Sequence, residues 1–234
     1  MPLITEIRAP GSSRSKTGSE HLRGGGEWRR VVLDDGRQLW VDVEQVARHR
    51  LEPGEPVDPR VIGRLLARDV YFRARERALR LLAARPRSAW EIRERLARDR
   101  VPETTVRAVI AGLVHDQLLD DLTFARAWIS RRMAARPYGA RRIRWELRQR
   151  GVTPAIIDHA LKESVRDDGG ISQTEERSAL TLIRGRLSGY RYLTPARRTR
   201  RIAALLERRG YAAGTIVRVL RTLGRAEDLE ELNG

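Results

Sequence analysis

Four histidines, His21, His49, His115 and His159, and one adjacent acidic pair, Asp120 and Asp121, are the residues of this 234-residue chain whose types could support acid–base or metal chemistry. The histidines stand far apart, without the i, i+4 spacing and intervening glutamate that gather imidazoles around a zinc ion, and each is expected at the surface. The chain contains no cysteine, so a disulfide framework, a thiolate nucleophile and a cysteine-ligated metal are excluded. Asp120 and Asp121 stand just before a helical pattern, where a carboxylate accepts backbone N–H groups and meets the positive end of the helix dipole; capping is their expected work. Neither a G-x-x-x-x-G-K-[ST] loop nor a G-x-G-x-x-G fingerprint occurs, and Gly24, Gly25 and Gly26 lie in a tail rather than between a strand and a helix. No catalytic residue, cofactor, metal or small-molecule substrate is therefore expected, and the chain is read as a non-enzyme.

The chemistry that remains belongs to the guanidinium group. The formal charge is +16, and of the 47 basic residues only Lys16 and Lys162 are lysine. A GC-rich coding sequence enriches arginine whatever the function, so placement carries more information than type. Residues 72–151 hold 20 basic against 9 acidic groups and residues 171–225 hold 13 against 3, while the last nine residues carry Glu227, Asp228, Glu230 and Glu231 and no base. Charge gathered in two blocks points to a polyanionic partner.

Within the first block, Arg141, Arg142, Ile143, Arg144, Trp145, Glu146, Leu147 and Arg148 form one helical stretch. Ile143 and Leu147 would face the core, leaving Arg141, Arg144 and Arg148 at i, i+3 and i+7 on an exposed stripe able to follow a phosphate backbone, with Arg142 and Glu146 at ion-pair spacing. Arg197, Arg198, Arg200 and Arg201 repeat the idea in the second block. Trp90, Trp128 and Trp145 are expected in core packing or interface anchoring rather than base stacking, and Trp40 against the first helices.

These side chains need elements to hold them. Residues 9–26 are rich in Gly, Ser and charge, and residues 1–26 are expected to form a disordered tail. Val31, Val32 and Leu33, then Asp34-Asp35-Gly36, then Leu39, Trp40 and Val41 predict a β-hairpin in an extension over 27–59, closed by the prolines and Gly54 of residues 51–59. From there to Arg225 the apolar period is helical, and it repeats. Ile92, Ile143 and Ile202 each precede a leucine by four residues (Leu96, Leu147, Leu206). Five residues on stand Val101, Val152 and Tyr211, then Val106, Ile157 and Ile216, then Ile110, Leu161 and Leu220. Gly151 and Gly210 occupy a helix-ending position that Arg100 takes in the first copy, and Ser164 interrupts a column shared by Leu113 and Leu223. Ser88 with Glu91 suggests a capping box, and Thr153-Pro154 and Thr194-Pro195 pair an N-cap with a first-turn proline. A third helix is expected before each aligned pair, over 73–84, 122–135 and 174–185. The expectation is thus an all-α fold of three tandem three-helix repeats, 60–121, 122–170 and 171–225, in an elongated curved array, with an acidic tail over 226–234. No stretch has transmembrane or signal-peptide character, which predicts a cytoplasmic protein without membrane contact.

In its order of features the chain resembles the RecX family. The first repeat reads ALRLLAARPRSAWEIRERLARDRVPETTVRAVIAGLVHDQLLDDLTFARAWI, and the second continues GARRIRWELRQRGVTPAIIDHAL. The arginine-serine before the second helix, the Asp120-Asp121 pair followed by Phe124-Ala125, and LLERRGYAAGTIVRVL in the third repeat resemble the family's pattern. The resemblance implies a modulator that lies in the groove of the RecA recombinase filament on single-stranded DNA and generally lowers its activity, in the setting of homologous recombination, DNA repair and the SOS response. The rival reading is a winged-helix transcription regulator, since 88–113 has a helix-turn-helix pattern; that fold needs a β-hairpin after its recognition helix.

Overall fold

The computed structural model describes residues 1–9, 27–135, 138–164 and 171–232. Two compact units account for them: Met1–Arg87 with Glu91–Leu119, and Ser88–Trp90 with the chain from Asp120 onward.

The first unit opens with a three-stranded antiparallel sheet, β1 (Ile4–Arg8), β2 (Trp28–Leu33) and β3 (Gln38–Asp42), in the order β1-β2-β3. The β2–β3 hairpin turns where Asp34-Asp35-Gly36 predicts it, with Gly36 at φ +82° and the Asp35 carboxylate accepting the Arg37 N–H. Strand β1 corrects the expectation of a disordered tail over 1–26: Ile4 is buried under the sheet, Ile7 packs beside it, and Ile7 pairs with Val31. The glycine- and serine-rich composition that argued for a tail belongs to residues 10–26, which lie outside the described residues. Helix α1 (Val43–Arg48), capped by the Asp42 carboxylate on Gln45 N–H, was likewise not legible inside the expected hairpin extension.

Helix α2 (Pro59–Ala84) spans 26 residues, starting on Asp58 as N-cap with Pro59 in the first turn. It is one continuous element that begins where the helical pattern was expected, near Arg60, and it extends the repeat helix drawn over 73–84 back to Pro59. Its first turns supply Ile62 and Leu65 to the core under the sheet. Trp28 meets Phe72 edge-on at 4.5 Å, and Asp69 accepts the Trp40 N–H, which is how the hairpin is tied to the helix. Further along α2, Ala74 and Ala78 are buried with Ile92 and Leu96 of α3 (Ala89–Arg98) and Val106, Val109 and Leu113 of α4 (Glu103–His115). After α4, Leu118 and Leu119 lead directly to the next helix. The wing that a winged-helix domain would need is not there.

The second unit carries two more triplets, α5 (Asp121–Ala135), α6 (Ala140–Arg148) and α7 (Pro154–Glu163), then α8 (Ile171–Arg184), α9 (Pro195–Arg208) and α10 (Ala213–Leu232), with a 3-10 turn at Leu187–Tyr190. Ile143, Leu147, Val152, Ile157 and Leu161 close one core with Phe124 and Ile129; Ile202, Leu206, Tyr211 and Val219 close the other with Ala179 and Ile183. Ser164, which interrupts the apolar column, ends α7, where its hydroxyl donates to the Leu161 carbonyl at 2.8 Å. The acidic tail expected over 226–234 is helical as far as Leu232, where α10 ends, because AEDLEEL contains no helix breaker before Asn233-Gly234. Thr153 and Thr194 do stand at N-caps before Pro154 and Pro195, but neither hydroxyl makes a capping hydrogen bond.

The repeated columns end their helices in one way. Val101, Val152 and Tyr211 donate N–H to the carbonyls of Leu96, Leu147 and Leu206 at 3.1, 3.2 and 3.1 Å, and the residue before each has positive φ: Arg100 at +59°, Gly151 at +71°, Gly210 at +80°. This is the six-to-one bond of a Schellman turn. The arginine of the first copy therefore adopts the left-handed conformation despite its Cβ. What separates the copies is space. A Cβ on Gly151 would lie 2.2 Å from Trp90 Cβ, and one on Gly210 would lie 2.6 Å from the Arg142 backbone nitrogen, whereas Arg100 is exposed.

Candidate nucleic-acid interface

The start of one repeat's second helix sits on the Schellman turn of the next. Ser88 Oγ donates to the Arg150 carbonyl at 2.6 Å, and 51 residues on, Gly139 N–H donates to the Arg209 carbonyl at 3.0 Å. Each such helix start also takes a carboxylate from the first helix of the following repeat: Asp121 accepts Ala89 N–H at 2.8 Å, and Glu175 accepts Ala140 N–H at 2.5 Å and the Thr215 hydroxyl at 3.0 Å. These contacts fix α6, and with it the arginines that it carries.

The acidic pair divides its work. Asp120 caps α5, accepting Leu122 and Thr123 N–H and the Thr123 hydroxyl; that hydroxyl, more than the two amides, holds its carboxyl below the usual aspartate value. Asp121 serves α3 instead, and burial pushes its carboxyl up, against the pull of the Ala89 N–H. Both act as caps, one of them for a helix that the local pattern could not name.

On α6, Ile143 and Leu147 are buried, as their spacing predicts, and Arg141 and Arg148 are exposed. Arg144 departs from the expected stripe. It is half-buried, and its Nε donates to Asp158 of α7 at 2.9 Å. Arg142 donates to Glu146 at 3.1 Å, the i, i+4 pair suggested by the sequence, but that carboxylate is 5% exposed and serves more than one partner. Arg132 reaches it at 2.8 Å and Trp128 Nε1 donates to it at 3.1 Å. Arg150 and Arg132 lie over the Trp128 ring at 3.7 and 4.9 Å, and Arg132 and Arg209 lie over Tyr138 at 5.6 and 5.2 Å. Two cations, Arg132 and Arg142, thus share one buried anion, leaving local positive charge unneutralised; cation–π contacts offset part of the repulsion. Neither Glu146 as a hub nor Tyr138 as a platform was found from the sequence, since these partners stand on other elements, from 6 to 71 residues away.

On α9, Arg197, Arg200 and Arg201 are exposed and meet no carboxylate at ion-pair distance among the described residues; the same holds for Arg141 and Arg148 on α6. Arg198 is half-buried and engaged elsewhere. Arg208, two turns beyond Arg201 on α9, adds an exposed cation that the sequence reading did not single out. Trp145 and Trp90 are exposed rather than packed, at 52% and 43%, whereas Trp128 is half-buried in the α5–α7 core. Among the described residues no three His, Asp or Glu side chains gather as a metal site, and no helix is long and apolar enough to cross a membrane.

Tandem three-helix domains that interlock through helix starts and Schellman turns, with arginines displayed on their second helices, define a helical-repeat protein. Residues 74–113 match the model of the first three-helix domain of RecX, and residues 120–161 that of the second. The chain is 36% identical over 162 residues to the regulatory protein RecX of Thermobifida fusca, covering 69% of this chain and 84% of that one. With the regulatory protein RecX of Streptomyces coelicolor it shares 33% over 185 residues, 78% of this chain and 90% of the relative. A crystal structure of regulatory protein RecX superposes with a TM-score of 0.69 over 94% of this chain and 98% of the other, at 22% identity, which shows the fold. The chain belongs to the RecX family, whose members compared here are named regulatory proteins.

Proposed function

We propose that the chain binds the RecA recombinase filament on single-stranded DNA in the cytoplasm and lowers its ATP hydrolysis and recombination activity. Family membership supports the regulatory part of this reading. The DNA part rests on one observation: Arg141, Arg148, Arg197, Arg200 and Arg201 expose guanidinium groups that meet no carboxylate among the described residues. A guanidinium without a counter-charge keeps its donors for a phosphate and gives up no ion pair on binding, so contact with a polyanion releases counterions at little cost. Arg142 and Arg144, already engaged with Glu146 and Asp158, are reserved for positioning.

The test adds purified protein to RecA assembled on single-stranded DNA and follows ATP hydrolysis. Hydrolysis is expected to fall as protein approaches stoichiometry, and to fall less with the R197E/R200E/R201E chain, which should also flatten the slope of log K against log salt for DNA alone by about 2, at ~0.7 per phosphate. Unchanged hydrolysis at stoichiometric wild-type protein overturns the proposal.

A further inference from the structure

Arg141, Trp145 and Arg148 stand at i, i+4 and i+7 on α6 and so share one exposed face. Trp145 is 52% exposed on a helix whose opposite side is fully occupied by the core, and the repeat does not demand an aromatic there: the corresponding positions of α3 and α9 are Glu94 and Ala204. The ring is nevertheless held. The Arg142 guanidinium lies over it at 4.6 Å, Arg142 is fixed by Glu146 at 3.1 Å, and Glu146 is buried and braced by Trp128 and Arg132. An indole backed by a fixed cation and flanked by two cations that meet no carboxylate among the described residues is a π surface beside groups able to bind phosphate.

The geometry points to Trp145 as a base-stacking residue for single-stranded nucleic acid, with Arg141 and Arg148 taking the phosphates on either side of the stacked base. This rests on the single-stranded DNA reading above and adds the contact that distinguishes a single strand from any other polyanion. A duplex offers its phosphates but keeps its base faces inside the stack; a single strand offers both, and stacking on an aromatic tolerates any base. An acidic protein surface would satisfy the arginines equally, yet it would not draw on the indole face.

The experiment measures binding of the full chain to a short oligothymidylate and to an abasic oligonucleotide of equal length, for wild type, W145A, W145F and R141E/R148E. W145A is expected to bind oligothymidylate about tenfold more weakly, within the range of one lost base–aromatic stack, and the abasic strand as wild type does. W145F should recover most of the loss. R141E/R148E should weaken both ligands and flatten the salt slope, which W145A leaves alone. Tryptophan fluorescence adds a direct signature: wild-type protein should be quenched by oligothymidylate more than W145F. Equal binding of both ligands by W145A and wild type, or no quenching difference, overturns the stacking role while leaving DNA binding in place; the face would then belong to an acidic protein. Failure of wild-type protein to bind either strand overturns this inference together with the DNA reading beneath it.

Discussion

Helices α6 and α9 occupy the same place in successive repeats, yet they treat the same cations differently. Arg141 and Arg142 correspond to Arg200 and Arg201, and Ile143 and Leu147 to Ile202 and Leu206. In α6 the next turn brings Glu146, buried, which pins Arg142; in α9 the equivalent residue is Leu205, and Arg201 meets no carboxylate among the described residues. A cation fixed by a buried anion has a defined position and supports a neighbouring ring, whereas an unpaired one on a solvated face contributes charge without geometry. One repeat thus fixes its cation against a carboxylate and the other leaves the equivalent cation on the solvated face, although their sequences look alike in arginine content.

The largest expected difference between the two is in stability. Glu146→Ala removes the single carboxylate shared by Arg132, Arg142 and Trp128 and should cost about 3 kcal/mol, somewhat below a fully buried pair because both arginines are partly solvated. Arg201→Ala on α9 should stay within ~0.5 kcal/mol, as surface changes do. Urea denaturation of the two variants compares them directly, and equal losses would break the contrast.

A smaller effect is expected where the helices end. Gly210→Ala puts a Cβ against the backbone of Arg142 and strains a residue at φ +80°, for a loss of about 2 kcal/mol. Arg100→Gly, at the same turn of the first repeat, relieves the left-handed arginine and should gain ~1 kcal/mol. A loss on Arg100→Gly would mean that the left-handed turn itself sets no need for glycine, and that only the neighbouring helix does, at Gly151 and Gly210.

The smallest difference concerns the helix starts. Glu175→Ala leaves the Ala140 N–H without its carboxylate and should cost about 1 kcal/mol, while Thr194→Ala at the start of α9 should change stability by less than ~0.3 kcal/mol, because that hydroxyl makes no capping bond. Thermal melts of these two variants would sharpen the comparison.

Periodicity made the repeated helices legible, since Ile143 and Leu147, or Ile202 and Leu206, can face a core in only one way once the helix forms. Strand β1 was not legible, because five residues beside a glycine-rich stretch carry little signal until Val31 and Leu33 supply the partner strand. The helical start of α2 near Arg60 was legible, but its union with the repeat helix over 73–84 was not: one helix faces a sheet with its first turns and helices with its last, so no single apolar stripe runs its length. At the site, the exposure of Arg141 and Arg148 followed from local spacing. The diversion of Arg144 to Asp158 and the gathering of Arg132 and Trp128 at Glu146 did not, being contacts between helices. Which of core packing and interface anchoring falls to Trp145 was hidden for the same reason: its ring is exposed and rests on a cation rather than in a core.

Arg100 also sets its turn apart from the other two. A second-helix Schellman turn receives the helix start of the preceding repeat only where its left-handed residue lacks a side chain, as at Gly151 and Gly210. At Arg100 the equivalent turn carries an exposed arginine side chain, so a helix start could not close on it as one does on Gly151 and Gly210.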